Sequence, residues 1–200
     1  MNIGIDIDDT ISYTFEETYP AAKKFVENDL GRKVVNEDFS TTVDYNYIEN
    51  VLQISQEEME EFWKRNLADL TKKVKPKENS AEVINKLKEE GHNIIIITAR
   101  WNEDYCDSEK HTKEWLEKYN ISYDKLYTGA ETKKQIAIDE KLDLFIDDSI
   151  RNCEDVSSAN IESYLFASKI NVKNPKSQNF NILYTWDEVY EKINSRKGDA

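Results

Sequence analysis

The sequence predicts an α/β protein in which helices cover both faces of a parallel sheet and a small helical cap is inserted after the first strand. Two observations support this prediction. Short apolar runs such as IIII (94–97) and LDLFI (142–146) alternate with helix-like segments, and such runs are typical of parallel strands buried on both faces. Residues 14–79 differ, because they have helical spacing and many aromatic residues instead.

The first strand is predicted at residues 2–7 (NIGIDI), and two helices follow it within the insert. The segments with helical spacing are 17–29 (ETYPAAKKFVEND) and 55–73 (SQEEMEEFWKRNLADLTKK). Ser55 and Glu58 are spaced to form a capping box at the start of the second helix. Pro76 interrupts the helical pattern, so the insert is predicted to end near residue 79.

Helices and strands alternate through the rest of the chain. The predicted order is helix 80–91, stopped by Gly91, strand 92–100, helix 108–120, strand 124–129, helix 131–141, strand 142–149, a short helix near 150–159, strand 161–167, a loop with Pro175 and helix 186–195. This pattern predicts a core of residues 1–13 and 80–195, a cap of residues 14–79 and a frayed tail at 196–200.

The composition argues against several classes of protein and partner. The 200 residues carry a formal net charge of −13, whereas a protein that binds a nucleic-acid polymer needs a basic stripe. A small anionic substrate stays compatible with this charge. Neither a membrane span nor a signal peptide is predicted. Cys106 and Cys153 match no metal or redox spacing and suit a reducing compartment, which predicts a cytoplasmic protein. The oligomeric state stays open, a homodimer included.

Carboxylates gather at the ends of two predicted strands. Asp6 and Asp8 follow the first apolar run, and Asp147 and Asp148 end another. In open α/β sheets, ligands bind at these strand ends. Two carboxylates about 6 Å apart repel by roughly 3 kcal/mol at an effective dielectric constant of 20, so such a cluster needs a cation or a protonated member. Oxygen-only ligands favour a hard cation, Mg²⁺ above all.

Two other interpretations of DIDDT (6–10) stay open. Acidic residues at a strand end can simply cap the following helix or face solvent. The segment also matches part of an EF-hand calcium loop, at Asp6, Asp8, Thr10 and Glu17. However, Ile11 replaces the glycine of the sharp turn, and a strand rather than a helix precedes the segment. Asp9 and Thr10 are also open to a structural role, because a threonine at that place can cap the turn.

A hydroxyl and a lysine accompany the acidic pairs. Thr98 follows the run IIII and precedes the backbone N–H of Ala99. Lys133 and Lys134 open a predicted helix, where a cation is mildly unfavourable unless an anion lies nearby. Along the chain, the order is therefore an acidic pair, a hydroxyl, a lysine and a second acidic pair.

This order resembles the haloacid dehalogenase-like (HAD) phosphohydrolase superfamily. DIDDT (6–10) is similar to its first motif, D-x-D-x-T, the run ending at Thr98 to its second, Lys133 to its third and LFIDDS (144–149) to its fourth. The insert after the first strand, the TAR triplet (98–100) and the FIDDS ending resemble the 5′(3′)-deoxyribonucleotidase-type branch, cytosolic 5′-nucleotidase type C. The resemblance implies a three-layer, Rossmann-like core and a Mg²⁺-dependent phosphomonoesterase, above all a 5′-nucleotidase that hydrolyses (deoxy)nucleoside monophosphates through an aspartyl-phosphate.

The resemblance also implies roles for individual residues. Asp6 would be the nucleophile, and Asp8 would protonate the leaving oxygen and then activate water. Thr98 and the Ala99 amide would bind phosphate oxygens, and Lys133 would stabilise their charge. The implied Mg²⁺ ligands are Asp6, the backbone carbonyl of Asp8 and Asp147, with Asp148 in the outer shell. Two alternatives remain. Lys134 could replace Lys133, although the spacing back from Asp143 favours Lys133. Arg100 could steer an anion or pair with an acidic neighbour.

The substrate is less well defined by the sequence. The aromatic residues in or beside the insert are Tyr13, Phe15, Tyr19, Phe25, Phe39, Tyr45, Tyr47, Phe62 and Trp63. Most are expected to form the core of the cap, and one or two, or Trp101, to line the pocket and stack on a nucleobase. Two other functions stay open, namely a phosphatase of another small metabolite and an inactive module that binds a nucleotide or a protein. The complete set of motif residues argues against the inactive module.

Overall fold

The core of the protein is a six-stranded, all-parallel sheet with the order β3-β2-β1-β4-β5-β6. The computed structural model describes residues 1–35, 37–39, 47–130 and 132–196. The strands are β1 (Asn2–Ile5), β2 (Asn93–Ile97), β3 (Lys125–Tyr127), β4 (Leu144–Asp147), β5 (Glu162–Phe166) and β6 (Ile182–Leu183). The α/β class with a parallel sheet that the sequence predicts is therefore confirmed.

The central strands are apolar on both faces because helices pack on both. Ile3 pairs with Ile94 on one side and with Leu144 on the other, and these three belong to one hydrophobic cluster. Phe145 points into a second cluster on the opposite face. Gly4 faces that side too, and a Cβ there would lie 2.3 Å from Cδ1 of Leu142, so only glycine fits this close approach.

Five helices cover the two faces of the sheet. Three contribute to the first cluster: α4 (Ser80–Glu89), α5 (Ser108–Lys118) and α8 (Trp186–Ser195). The other two, α6 (Lys134–Asp139) and α7 (Ile150–Ser157), contribute to the second. Several begin at a side-chain cap of the kind that helix N-termini favour. Asp107, Ser149 and Thr185 each accept a hydrogen bond from the backbone N–H three residues later.

The chain between β1 and α4 forms a helical segment (residues 14–73) with a hydrophobic cluster of its own. It contains α1 (Thr14–Lys24), which continues as a π-helix (Phe25–Asp29), then α2 (Tyr47–Leu52) and α3 (Gln56–Lys73). The predicted capping box of Ser55 and Glu58 begins α3. Almost all buried members of the cluster come from this segment, and Ile170 packs into it from the loop after β5.

The structure differs from the sequence prediction mainly in short elements. β6 and α2 were not predicted, because a two-residue strand and a six-residue helix are too short to show a period. The predicted loop with Pro175 contains two 3₁₀ turns, Asn171–Lys173 and Pro175–Asn179. Beyond Arg196, the predicted tail lies outside the described residues. Within those residues, no helix is long and apolar enough to cross a membrane.

Candidate active site

Neighbouring strands bring the two acidic pairs to the same edge of the sheet. Asp147 ends β4, and Asp6 follows β1, its backbone N–H donating to Ile146 at 3.0 Å. As a result, carboxylate oxygens of Asp6, Asp147 and Asp148 all lie within 4.8 Å of one another. Asp6 and Asp147 are almost fully buried. Of the N-terminal aspartates expected to converge with the pair near residue 147, Asp6 is the one whose carboxylate belongs to this group. We call these three residues the acidic cluster.

Lys133 is the lysine that reaches the acidic cluster. Its side chain is 1% exposed, and Nζ donates to Asp6 and, at 2.7 Å, to Oδ2 of Asp147. Burial by itself would lower the pKa of Lys133, but the two carboxylates outweigh it and the pKa lies above its usual value. Lys134 faces the surface instead, where it donates to Ser158 at 2.7 Å. Of the two lysines left open by the sequence, Lys133 therefore lies in the site.

Asp147 is held in place by the start of α7. Its Oδ1 accepts a hydrogen bond from the backbone N–H of Ser149 at 2.8 Å, and its Oδ2 accepts one from Nδ2 of Asn152 at 3.0 Å. Sequence analysis did not single out Asn152. Its position on the first turn of a helix that directly follows the acidic pair is the signal that could have identified it.

The acidic cluster has more negative charge than its protein surroundings neutralise. Burial, together with the charges of Asp147 and Asp8, raises the pKa of Asp6 to about 7 despite the nearby Lys133. Burial and the neighbouring aspartates also raise the pKa of Asp148 well above its usual value. Such groups favour either protons or an additional cation. A buried set of oxygen donors at this spacing suits a hard divalent ion such as Mg²⁺.

Asp8 lines the same cavity as the acidic cluster and pairs with Arg100. Nε of Arg100 donates to Oδ2 of Asp8 at 2.8 Å and Nη2 donates to Oδ1 at 2.6 Å, while the Thr14 hydroxyl donates to Oδ1 at 2.6 Å. Burial alone would raise the pKa of Asp8, but Arg100 outweighs it and the pKa lies below its usual value. Of the two roles considered for Arg100, pairing with an acidic neighbour is the one observed. The strand β1, rather than a helix, precedes this segment, which does not fit a calcium loop of the EF-hand type.

Asp9 joins the site to the helical segment. It has a φ of 58°, and its Oδ1 accepts a hydrogen bond from the backbone N–H of Phe15 at 2.8 Å, in the first turn of α1. This supports the structural interpretation of Asp9. The hydroxyl of Thr10 is buried and has no hydrogen-bond partner among the described residues, so it does not cap the turn. The Ser12 hydroxyl does, by donating to the carbonyl of Ile7 at 3.0 Å.

Thr98 and Ala99 differ in their access to the site. Ala99 lines the cavity above the acidic cluster, together with Arg100 and Trp101. Thr98 is completely buried and is not among the lining residues. Its Oγ1 accepts the backbone N–H of Arg100 at 3.3 Å, and its carbonyl accepts the N–H of Ala130 at 3.0 Å. Thr98 therefore shapes the loop that presents Ala99.

One cavity of about 500 Å³ connects the acidic cluster with the helical segment. The segment contributes mainly apolar walls, from Ile48, Met59, Trp63, Leu67 and Leu70. Trp101, half exposed, and Tyr105, which sequence analysis did not single out, line the same cavity.

The other aromatic residues of the insert mostly pack inside it. Phe15, Tyr19, Phe25, Phe39 and Phe62 belong to the hydrophobic cluster of the segment, and the ring of Tyr13 contacts Lys77. Tyr45 and the side chain of Tyr47 lie outside what the structure describes. Trp63 is therefore the predicted insert aromatic that reaches the cavity among those that the structure describes.

Comparisons with known proteins agree on the family and the fold. Residues 1–198 match the family model described as "5′ nucleotidase, deoxy (Pyrimidine), cytosolic type C protein". A curated nucleotidase of Clostridium acetobutylicum is 31% identical over 193 residues, which is 95% of this chain and 92% of that protein.

Two solved structures share the fold across nearly the whole chain. A predicted phosphatase from Clostridium acetobutylicum has a TM-score of 0.69 at 15% identity, and covers 97% of this chain and 98% of that one. A predicted phosphoglycolate phosphatase from Haemophilus somnus has a TM-score of 0.66 at 14% identity, and covers 96% of this chain and 97% of that one. At these identities, the two structures inform the fold alone.

Proposed function

We propose, from the premise that the chain belongs to the cytosolic type C family of 5′-nucleotidases within the HAD superfamily, that it is a Mg²⁺-dependent 5′-nucleotidase acting on (deoxy)nucleoside monophosphates. The family makes the protein a hydrolase of phosphoric monoester bonds. The observation that carries the finer proposal is the convergence of Asp6, Asp147 and Asp148 beside the buried Lys133, at one side of a largely apolar cavity.

The acidic cluster is the proposed holder of Mg²⁺. Asp6, Asp147 and the backbone carbonyl of Asp8 are the ligands implied by the sequence, with Asp148 in the outer shell. The grouping of the Asp148 carboxylate with the other two supports a more direct role for it. When bound, the ion would supply positive charge to the phosphoryl oxygens and lower the repulsion among the aspartates. Asn152 and Ser149 keep Asp147 oriented for this task.

Asp6 is the proposed nucleophile because its carboxylate lies at the carboxyl end of β1, next to the buried ammonium group of Lys133. An oxygen of Asp6 attacks phosphorus, the bond between phosphorus and the ester oxygen breaks, and an aspartyl-phosphate forms. Lys133 stabilises the charge on the phosphoryl oxygens, and the Ala99 amide, with Thr98, binds them. Water then attacks phosphorus, the bond to Asp6 breaks, and inorganic phosphate and the free carboxylate result.

Asp8 is the proposed acid and base of these two steps. Arg100 lowers the pKa of Asp8 and so favours its ionised form, which is the form that takes a proton from the attacking water. The proton for the leaving oxygen can enter with the substrate, because a phosphomonoester loses its second proton only near pH 6. Asp8 then passes that proton to the leaving oxygen.

An Asp8→Asn protein is expected to lose about 10²–10⁴-fold in nucleotide turnover, the usual range for a lost acid–base group. With p-nitrophenyl phosphate, whose leaving group needs no proton, the first step should survive and the second should stall. Stopped-flow absorbance should therefore show a burst of p-nitrophenol stoichiometric with the enzyme. Unchanged nucleotide turnover in this variant would exclude Asp8 from the reaction.

The helical segment is the proposed cap over the site, within residues 14–79, on a core of residues 1–13 and 80–195. Its separate hydrophobic cluster supports this division. Its apolar contribution to the cavity favours a substrate with a flat, weakly polar part, such as a nucleobase near Trp63 and Trp101, over a small polar metabolite. A cytoplasmic location belongs to the same proposal, and it is supported by Cys106 and Cys153, which are buried thiols rather than a disulfide.

The proposal predicts that hydrolysis requires a divalent metal ion and is faster for nucleotides, which carry a nucleobase, than for sugar phosphates. Phosphate release from a panel of ribonucleoside and deoxynucleoside monophosphates and sugar phosphates, with and without EDTA, tests it. We expect kcat/KM for the best nucleotide to exceed that for sugar phosphates at least about 10-fold, because only the nucleotide fills the apolar part of the cavity. EDTA should abolish all turnover and added Mg²⁺ should restore it. A preference for a sugar phosphate would favour the first alternative, a phosphatase of another small metabolite. Absence of Mg²⁺-dependent hydrolysis would favour the second, an inactive module that binds a nucleotide or a protein.

A further inference from the structure

One loop of the core packs against the helical segment. It consists of residues 168–173, which follow β5, and we call it the β5 loop. Ile170 of this loop is buried within the hydrophobic cluster of the helical segment. Beside it, Nζ of Lys169 lies 3.1 Å from Oε1 of Glu16, in the first turn of α1, and 5.6 Å from the centre of the Phe15 ring. The β5 loop is therefore connected to the core strands but held by apolar and ionic contacts to the helical segment.

The next residue of the β5 loop, Asn171, is bonded to the acidic cluster. Asn171 is 4% exposed, and its Nδ2 donates to the carbonyl oxygen of Asp148 at 2.8 Å and to that of Phe166 at 2.7 Å. Its Oδ1 accepts the backbone N–H of Ser168 at 2.9 Å. Because these bonds fix the amide within the loop, a displacement of Ile170, the preceding residue, also displaces the group that donates to Asp148.

Asp148 depends on this contact more than Asp147 depends on any single partner. The carboxylate of Asp147 accepts hydrogen bonds from Lys133 and Asn152. Among the described residues, the hydrogen bond made to Asp148 is instead the one from Asn171 to its backbone, although its carboxylate belongs to the acidic cluster. Contacts one step removed from a metal ion commonly orient the ligands of that ion.

We propose that the β5 loop couples the position of the helical segment to the geometry of the acidic cluster, with Asn171 as a positioning residue that acts through Asp148. Where it concerns Mg²⁺, this inference rests on the proposed function. With Ile170 packed in the helical segment, Asn171 holds Asp148 beside Asp6 and Asp147, so that all three carboxylates can meet one cation. Such coupling is reciprocal, so a cation at the acidic cluster also stabilises the contact of Ile170 with the helical segment.

The affinity for Mg²⁺ in the absence of substrate tests this coupling. By isothermal titration calorimetry, we expect the Kd to rise at least about 10-fold in Asn171→Ala, the range for a lost contact to a metal ligand. In Ile170→Ala it should rise about 5-fold or more, the lower range of coupling between two sites. Ile170→Val, which keeps most of the buried side chain, should stay near wild type. The matched control is Leu52→Ala, which removes a similarly buried side chain of the same hydrophobic cluster outside the β5 loop and should leave the Kd unaltered.

Hydrogen exchange in EDTA separates this inference from the proposed function, because it needs neither metal nor substrate. Ile170→Ala should speed exchange of the Ser149 amide, which bonds the Asp147 carboxylate, about 5-fold or more, whereas Leu52→Ala should not. In wild type, added Mg²⁺ should slow exchange in the first turn of α1.

The outcomes distinguish the two proposals. If wild type binds no Mg²⁺ but exchange in EDTA follows this pattern, the proposed metal site fails and the coupling stands. Where Mg²⁺ binds, an unchanged Kd in Asn171→Ala or Ile170→Ala, or an equal rise in Leu52→Ala, would overturn the coupling. Exchange of the Ser149 amide that is unaffected by Ile170→Ala would overturn it as well.

Discussion

An Asp6→Asn protein is expected to fold and to hydrolyse no phosphomonoester. Asparagine keeps the shape of the side chain but removes the oxygen nucleophile and one negative ligand oxygen from the acidic cluster. Removing a covalent nucleophile costs on the order of 10⁴-fold or more in kcat. Phosphate release from p-nitrophenyl phosphate and from the best nucleotide should therefore fall to background at saturating Mg²⁺.

The fold should survive this change because the acidic cluster is short of positive charge. Burial and neighbouring carboxylates disfavour the charged form of Asp6. A neutral asparagine avoids this cost, which partly offsets the stability lost with the contact to Lys133. Lys133 also keeps its contact with Asp147. We expect the thermal midpoint to stay within about 4 °C of wild type, the shift that about 1 kcal/mol produces in a chain of this size.

The matched control is Asp69→Asn, which changes an exposed aspartate of α3 and should leave both activity and stability unaltered. A second readout identifies the intermediate directly. Acid quench of the wild-type and Asp8→Asn proteins during turnover, followed by peptide mass spectrometry, should locate a phosphoryl group on Asp6. A fully active Asp6→Asn protein, or a phosphoryl group on another residue, would remove the covalent mechanism.

The strands and the edge of the sheet that carries the site could be predicted because their signals are local. An apolar run such as IIII at 94–97 identifies a strand buried on both faces, and carboxylates placed directly after two such runs meet when the strands are neighbours. Asp6 and Asp147 satisfy both conditions, since β1 pairs with β4. Lys133 and Lys134 are adjacent, so the choice between them depended on a difference of one position. The spacing back from Asp143 favoured Lys133, and Lys133 is the lysine that contacts Asp6, whereas Lys134 contacts Asp155.

The rest of the site depends on contacts between distant parts of the chain. Arg100 and Asp8 are 92 positions apart, so the sequence left two partners open for that arginine. Tyr105 was not singled out, because a tyrosine in a polar segment gives no signal until that segment is seen to line the cavity. Thr98 was expected at the phosphate, yet its burial depends on how the following loop folds back against Ala130. In each case, the role of the side chain depends on contacts with residues that are distant in the sequence, and the residue type alone does not reveal these contacts.

Replacing Lys133 by methionine is expected to damage both catalysis and stability, whereas the same change at Lys134 should do neither. Lys133 is the buried cation between Asp6 and Asp147. Without it, these carboxylates face each other and Asp148, and no cation of another described residue forms an ion pair with Asp6 or Asp147. Breaking a buried ion pair by removing one partner costs about 3–5 kcal/mol, which corresponds to a drop of roughly 10 °C in the thermal midpoint in EDTA.

Magnesium should partly compensate for the missing lysine. If the ion binds the acidic cluster, the increase in thermal midpoint on adding Mg²⁺ should be larger in Lys133→Met than in wild type, since more repulsion is relieved. Activity should not recover, because no other described residue places a cation between Asp6 and Asp147. We expect kcat to stay about 10²–10³-fold low, the range for a lost electrostatic stabiliser of the transition state.

Lys134→Met provides the matched control one residue away. Lys134 is partly exposed and contacts Ser158 and Asp155 at the surface, where such pairs contribute less than about 1 kcal/mol. Calorimetry in EDTA and in Mg²⁺, together with steady-state kinetics, measures all three proteins. Loss of activity in Lys134→Met with a normal Lys133→Met would reverse the assignment of the two lysines. An equal Mg²⁺-induced shift in wild type and Lys133→Met would show that the ion binds away from the acidic cluster, because only there does its charge replace that of Lys133.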